Sequence, residues 1–387
     1  MTPAARVQAA IEILDGIGAG RAAEQALTGW ARRSRFAGSG DRAAVRDHVF
    51  DALRRRRSYA ALGGGSGGRA LMLGAIRAAG GDPDAVFGAG GHAPAALSDA
   101  ERAGGRDPRT PQERCDMPDW LWPRLVASLG GEADAAGRAL QNRAPVHLRV
   151  NLARCDRDAA RHALADDGIA TRPHPASPTA LEVTDGARRL RNARAYLDGR
   201  VELQDAASQA VVDLLPLKPG MRVLDYCAGG GGKALAMAAR AAVEIVAHDA
   251  SPDRMRDLPA RADRAGAQIT LAATQDLAGL GPFDLVLCDA PCSGSGSWRR
   301  SPEGKWALTE ARLAELTGIQ RDILHRASAC LVPGGLLAYA TCSILDDENA
   351  QSVAHFLRAH PGWRQVASRS WPVQHGTDGF FSSHLTG

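Results

Sequence analysis

Lysine is nearly missing from this chain. Of 47 basic residues only Lys218, Lys233 and Lys305 are lysine, so arginine carries almost all of the positive charge. Where arginine is the default cation, a retained lysine points to a position that wants a compact ammonium. A long apolar run is missing too. The longest uncharged stretch, residues 327–345, is interrupted by Pro333-Gly334-Gly335 and carries several hydroxyl residues, which argues against a bilayer-spanning helix and for a helix end, a turn and a buried strand. Seven scattered cysteines, an odd number, do not make a disulfide framework. Only Cys288 and Cys292 are closely spaced, and no second Cys or His pair accompanies them to complete a zinc site, so no metal is expected. The first residues, with Arg6, Glu12 and Asp15, lack the apolar core of a signal peptide. A cytoplasmic monomer with no membrane partner is the expectation.

What is present describes a globular chain of several parts. With 387 residues, 45% hydrophobic and 23% charged, it exceeds one comfortable core, and two or three domains are expected. The formal charge of +4 is unevenly spread, with runs at Arg54-Arg55-Arg56-Arg57 and Arg188-Arg189-Leu190-Arg191. Such runs suit a phosphate backbone, although a solvated helix face is the commoner explanation for them. Val7, Ile11, Leu14 and Ile17 fall at helical spacing, as do Val45, Val49 and Leu53, and a further helix covers residues 70–79. Residues 80–114 read as a loosely ordered, Gly/Pro-rich connector, so residues 1–142 form a helical domain with a flexible connector. From Val146 the period changes. Strands at residues 147–151 and 181–183 flank a helix at 156–166, which makes residues 143–204 a small α+β module that, with Arg149, Asn151 and the Arg188 to Arg191 group, could support RNA or could simply be a small interdomain domain. Residues 205–387 then alternate strands, near Val223, Val243, Ile269, Leu285 and Leu336, with helices at 232–240, 252–265 and 309–330. That pattern is a doubly wound α/β sheet.

The chemistry gathers at strand ends. Residues 283–298 run from a buried strand into Asp289-Ala290-Pro291-Cys292, delivering an acid and a thiol to the carboxyl edge of the sheet, where open α/β sheets hold ligands. A second thiol arrives in Ala340-Thr341-Cys342-Ser343. The first strand ends in Cys227-Ala228-Gly229-Gly230-Gly231-Gly232-Lys233, glycines that let a ligand approach a helix amino terminus. A P-loop is excluded, since Cys227 stands where that motif needs Gly and Ala234 where it needs Ser or Thr. Asp249 ends the second strand, at the place where such folds hold ribose hydroxyls, and Asp276 follows the third. Three acids at the edge with a glycine loop describe a nucleoside cofactor without phosphates, which points to S-adenosylmethionine. Each acid taken alone would also serve as a helix N-cap.

Asp289-Ala290-Pro291-Cys292-Ser293-Gly294-Ser295-Gly296, Tyr339-Ala340-Thr341-Cys342-Ser343-Ile344, the Cys227 to Lys233 loop, and Asp378-Gly379-Phe380-Phe381 together resemble the Sun/Nop family of RNA cytosine-5 methyltransferases, in its bacterial RsmB-like branch. The likeness runs from about Pro145 to the carboxyl terminus, and Arg299-Arg300-Ser301-Pro302 with Lys305-Trp306 fits the loop after the first cysteine. It departs at Gly230, where the family commonly has Pro, and at Ala234, where it has Thr. The resemblance implies a Rossmann-like class I methyltransferase domain, an amino-terminal NusB-like helical domain, a small RRM-like module, and RNA, ribosomal in that branch, as partner. It implies Cys342 as nucleophile, Cys292 in product release, Asp289 at the cytosine edge, and Lys233 with residues 227–232, Asp249, Asp276 and Asp289 around S-adenosylmethionine. Two other readings remain open here: a tRNA cytosine-5 methyltransferase, and a retired methyltransferase scaffold acting as a ribosome-assembly factor. An amino-group methyltransferase would want an Asp/Asn-Pro-Pro-aromatic loop in place of Asp289-Ala290-Pro291-Cys292.

Overall fold

Strands buried on both faces need unbroken apolar runs, and amphipathic helices need an apolar stripe; the two kinds of pattern in this sequence fold separately. The computed structural model describes residues 1–387. They divide into one unit of Met1–Arg143 with Trp298–Leu308, and a second of Ala144–Ser297 with Thr309–Gly387.

The first unit is helical. Helices Pro3–Gly18, Ala23–Arg33, Ser39–Arg54, Arg56–Gly63 and Gly68–Ala78 close over Val7, Ile11, Leu14, Leu27, Trp30, Val45, Val49, Leu53, Met72 and Leu73. The last two helices cross at glycines. A Cβ on Gly74 would lie 2.0 Å from the Tyr59 carbonyl oxygen, and one on Gly63 1.8 Å from that of Ala70. Trp298–Leu308 belongs to this unit and satisfies helix ends that would otherwise lack partners. The Trp306 indole donates to the Leu53 carbonyl at 2.7 Å and the Lys305 ammonium to that of Arg54 at 3.2 Å, while the Glu303 carboxylate accepts from the Ala23 N–H at 2.7 Å. Residues 80–114 differ from the loose connector expected of their composition. They hold the short helices Asp99–Ala103 and Pro111–Arg114, and Arg77 pins the stretch by donating to the carbonyls of Leu62, Glu101 and Gly104.

In the second unit, β1 (Val146–Val150), β2 (Ala170–Pro173), β3 (Ala180–Asp185) and β4 (Val201–Leu203) form an antiparallel sheet in the order β2-β3-β1-β4. The helix Arg157–Asp166 covers one face through Ala160 and Leu164, against Leu148, Val150 and Leu181. The sequence shows no β2 because that four-residue edge strand is mostly exposed and has no alternation to read.

The larger sheet has seven strands in the order β10-β11-β9-β8-β5-β6-β7. They are β5 (Arg222–Asp225), β6 (Glu244–His248), β7 (Ile269–Ala272), β8 (Phe283–Asp289), β9 (Leu331–Thr341), β10 (Arg364–Trp371) and β11 (Phe380–Thr386). The first five are parallel, and β10 and β11 join antiparallel. Helices Ala206–Asp213 and Gly232–Arg240 pack Val211, Ala234 and Met237 on Val223, Leu285 and Ala338 on one face. On the other, Glu310–Ser328 and Ala350–Ala359 pack Leu324, Val353 and Phe356 on Leu224, Val286 and Tyr339. The sequence reads the five parallel strands but neither antiparallel one: β10 is polar and exposed along almost its whole length, and β11 buries Ser382, Ser383 and His384. The expected helix over 252–265 is interrupted, with a 3-10 turn at Pro252–Met255 and an α-helix from Leu258 to Ala265; Pro259, lacking an N–H, fits the first turn of the latter.

Gly74→Ala is expected to lower the stability of the full chain by about 3 kcal/mol, because backbone at the crossing cannot move aside for a methyl group. Urea unfolding of the purified protein measures this, and an unchanged midpoint would contradict the close approach of the two helices.

Candidate active site

Strand order reverses between β5 and β8, and the carboxyl ends on either side of such a point frame a crevice. From β5 the chain leaves through Tyr226 and Cys227 into the glycine loop. The Gly229 N–H donates to Asp249 Oδ2 at 3.0 Å, and Asp249 Oδ1 accepts from the Ser251 N–H at 2.9 Å. Arg254 stands 3.2 Å from the same carboxylate. Gly231 takes φ +78°, and a Cβ there would meet Leu258 Cδ1 at 2.1 Å, so only glycine makes this entry to the helix Gly232–Arg240. At Gly230, where the resemblance would put proline, the carbonyl accepts from Arg261. His248 ties three strand ends together, with Nδ1 2.7 Å from the Tyr226 carbonyl oxygen and Nε2 2.9 Å from Thr274 Oγ1.

A cavity of about 300 Å³ opens in front of these residues, with Tyr226, Cys227, Asp249, Thr274, Pro291 and Ile323 on its walls. Its size is at the lower end of the range for small-molecule sites, roughly 300–1,000 Å³. Tyr226, Pro291, Ile319 and Ile323 give it apolar walls, Asp249 stands anchored at one side, and Arg254, Asp322 and Arg326 add charge to its lining; such a set suits a nucleoside with a charged tail, so the residues present fit S-adenosylmethionine. Asp276, the third acid of the sequence reading, is exposed and does not line the cavity; the 3-10 turn Thr274–Asp276 turns Thr274 toward it instead.

Beside the cavity the remaining candidates converge. Lys233, 5% exposed, donates to Asp289 Oδ2 at 2.6 Å and lies 5.1 Å from the centre of the Phe380 ring. Cys292 Sγ is 3.4 Å from Cys342 Sγ, and both cysteines are partly exposed. The hydrogen bond to Cys342, together with burial, pushes the Cys292 thiol well above the ordinary cysteine range. Cys227 and Cys288 are likewise pushed well up by burial, which suits packing thiols rather than nucleophiles. The backbone interlocks around the pair: the Gly296 N–H donates to the Cys342 carbonyl at 3.0 Å, and Gly379 donates to the Gly296 carbonyl at 2.9 Å.

Two groups carry no motif signal. Glu348, six residues past Cys342, is fully buried and bonded to both thiol loops; in the sequence it stands in the acidic stretch Asp346-Asp347-Glu348, which looks like a solvated turn. Asp225 ends β5 directly under the glycine loop and is fully buried there. Burial, then the negative charge of Asp289, pushes it up to about 7 against the opposing effect of Lys233. A strand ending in an acid was its only signal. Two residues weighed for RNA are internal instead. Arg149, 4% exposed, donates to Gln204 Oε1 and the Gly232 carbonyl, and Asn151 donates to the carbonyls of Gly199 and Ala265. Both tie the small module to the large sheet. In the Arg54 to Arg57 run, Arg54 donates to the Arg299 carbonyl and Arg57 to that of Met117, so the run is partly committed to its own unit. Side-chain ligand atoms of His147, His174 and Glu182 lie within 4.8 Å of one another, but Arg172 grips both Glu182 oxygens and Asp205 lies 3.0 Å from His147 Nδ1.

This sheet, crevice and glycine loop are those of an S-adenosylmethionine-dependent, Rossmann-like methyltransferase. Residues 212–386 match the family described as 16S rRNA methyltransferase RsmB/F, and residues 117–188 its RsmF/B-like ferredoxin-like domain. Ribosomal RNA small subunit methyltransferase B of Citrobacter koseri is 33% identical over 291 residues, 71% of this chain and 68% of that protein. Its counterpart in Serratia proteamaculans is 31% identical over 287 residues, 69% of this chain and 66% of that one; the aligned part thus spans about two thirds of each relative. The chain belongs to the RsmB/F family of rRNA methyltransferases. Among solved structures, PH0851 superposes over 100% of this chain and 99% of its own with a TM-score of 0.76 at 23% identity. NSun6 from Pyrococcus horikoshii with SFG covers 70% of this chain and 98% of its own at a TM-score of 0.62 and 18% identity. These two agree in fold.

The raised Asp225 makes stability depend on pH. A carboxyl whose folded value lies above its unfolded one, near 3.9, binds more protons in the native state across the interval between them, so stability falls as pH rises from about 4 to about 7. Asp225→Asn removes that dependence. Its stability relative to the parent is expected to rise by on the order of 2 kcal/mol between pH 5 and pH 8, as read by urea unfolding at both. A difference that does not change with pH would place the titration elsewhere.

Proposed function

We propose that the chain methylates carbon 5 of a cytosine in ribosomal RNA through a transient bond between Cys342 and carbon 6 of the base. The observation that carries this reading is the 3.4 Å separation of Cys292 Sγ and Cys342 Sγ at the ends of neighbouring strands, beside the bonded Lys233 and Asp289. Carbon 5 of cytosine is a poor nucleophile. A thiolate adding to carbon 6 turns it into an enamine carbon, and this is the reason for placing a thiol at a methyl-transfer site.

The roles follow from the environments. Cys342 takes the nucleophile's role, as the family resemblance implies, and Cys292, 3.4 Å from it and pushed well above the ordinary cysteine range by their hydrogen bond and by burial, is the poorer nucleophile of the two. Asp289, one-third exposed on its side chain and fixed by Lys233, hydrogen-bonds the amino group or protonated ring edge of the cytosine and favours the adduct over the free base. S-adenosylmethionine, held against Asp249, supplies the methyl group that carbon 5 receives. In release the carbon-5 proton passes to water at the partly exposed rim, the electrons of that C–H bond restore the ring double bond, the carbon 6–sulfur bond breaks, and Cys342 departs as a thiolate to which the neighbouring Cys292 thiol donates a hydrogen bond. Lys233 acts on this sequence through Asp289, its hydrogen-bonded partner. Ribosomal rather than transfer RNA is favoured by the family to which the chain belongs.

With labelled methyl donor and rRNA, Cys342→Ala is expected to reduce transfer to background. Cys292→Ala is expected to accumulate an RNA–protein adduct that survives denaturing electrophoresis. The opposite pattern would exchange the two roles, and bisulfite mapping of RNA from a deletion strain that finds no lost cytosine mark would overturn the reading.

A further inference from the structure

We propose that Glu348 is a positioning residue that sets the distance between the two active-site sulfurs by gripping the residue that follows each of them. Both thiols are followed by serine, Cys292 by Ser293 and Cys342 by Ser343, and Glu348 binds both serines. Its Oε2 accepts from Ser293 Oγ and from Ser343 Oγ, each at 2.5 Å. Its Oε1 accepts from the Ser293 N–H at 2.7 Å and from Gln320 Nε2 at 3.1 Å. The same Gln320 amide donates to the Pro291 carbonyl at 3.0 Å, so the chain is held on both sides of Cys292. On the other loop, Asn349 Nδ2 donates to the Ser343 carbonyl at 2.9 Å. Ser295 Oγ then joins the loops directly, lying 2.9 Å from Ser343 Oγ and accepting from the Ile344 N–H at 2.9 Å.

The chemistry of this arrangement is specific to a carboxylate. Glu348 is 0% exposed; the Ser293 N–H and the Gln320 amide can only donate to it, and the two serine hydroxyls, whose oxygens already accept from the Ser295 and Leu345 N–H groups, turn their protons to it as well. An amide in its place would turn an N–H₂ toward the two serine hydroxyls, replacing two short bonds to a carboxylate oxygen by longer, weaker ones to hydroxyls that already accept elsewhere, and so loosen the hold on both loops. Cysteine has a single side-chain torsion before its sulfur, so the positions of residues 292 and 342 along the backbone largely fix the Sγ to Sγ distance. The carboxylate therefore acts on the sulfurs without touching them. Its importance for transfer rests on the two-thiol reading above, whereas its control of sulfur spacing does not.

Phenylarsine oxide separates the two. One arsenic closes on two neighbouring thiols, forming two As–S bonds and releasing one water, and it reports spacing whether or not RNA is methylated. In the full chain, Glu348→Gln is expected to slow this capture by about 10- to 100-fold, while alkylation of the same cysteines by iodoacetamide does not slow. With RNA and S-adenosylmethionine, kcat is expected to fall by a similar factor, with KM for the methyl donor within about twofold, since Glu348 does not line the cavity. Ser343→Ala, which deletes one of the four hydrogen bonds, is expected to move both readouts in the same direction by less, and decides the matter if Glu348→Gln does not fold. Capture at the parental rate in a folded Glu348→Gln or Ser343→Ala protein overturns the proposal. Slowed capture in a chain that methylates no RNA would sustain the positioning role and sink the methylation reading instead.

Discussion

Parallel pairing between β8 and β9 places Asp289 opposite Ala340, and the arrangement of the site depends on that register. Cys292 stands three residues beyond the first position and Cys342 two beyond the second, so both thiols leave the sheet at the same height. In a parallel sheet a slip of one residue would send alternate side chains to the opposite face. It would also break two cores at once, since Leu287 and Ala338 pack on one side of the sheet while Val286 and Leu337 pack on the other. Burial on both faces is thus what guarantees the meeting of two sulfurs at the rim.

Electrostatics at that rim account for the lysine retained there. Asp225, Asp249 and Asp289 crowd the carboxyl ends of β5, β6 and β8, and the cation buried among them is Lys233, a compact charge on a flexible stem. A planar guanidinium has five donors to satisfy in a fixed fork, and little room for them exists where Phe380 closes the side. Lys305 repeats the theme in the helical unit: it is 1% exposed, bonded to a helix-end carbonyl, and pushed down by burial to about 8. The buried arginines Arg149 and Arg54 each donate to a backbone carbonyl instead.

Much of the fold was legible because parallel strands and amphipathic helices print their burial as period. What escaped was structure whose logic is set by partners distant in sequence. β11 is a strand because β9 and β10 flank it, and its serines and histidine give no hint of burial. Arg149 and Asn151 read as possible RNA contacts because they sit in a small α+β module, but they donate to the carbonyls of Gly232 and Ala265, 83 and 114 positions away. At the site, the residues with chemistry of their own, the thiols, Asp289 and Lys233, could be found from strand-end motifs and from family resemblance. Glu348 could not, since an acid in a polar loop is recognised as a clamp only once the two loops that it joins are in place.

Trp298–Leu308 has a consequence for how the molecule is made. The helix ends at Leu53 and Arg54 and the start of the helix at Ala23 are satisfied by residues that follow the first thiol loop. Chains emerge from the ribosome amino terminus first, and domains tend to fold as they appear. Here the earliest helices leave the exit tunnel with three backbone groups lacking their final partners, and gain them only after most of the parallel sheet has been synthesised. The helical unit therefore waits for residues 298–308, made about 150 residues after its other helices, before its own hydrogen bonds are complete.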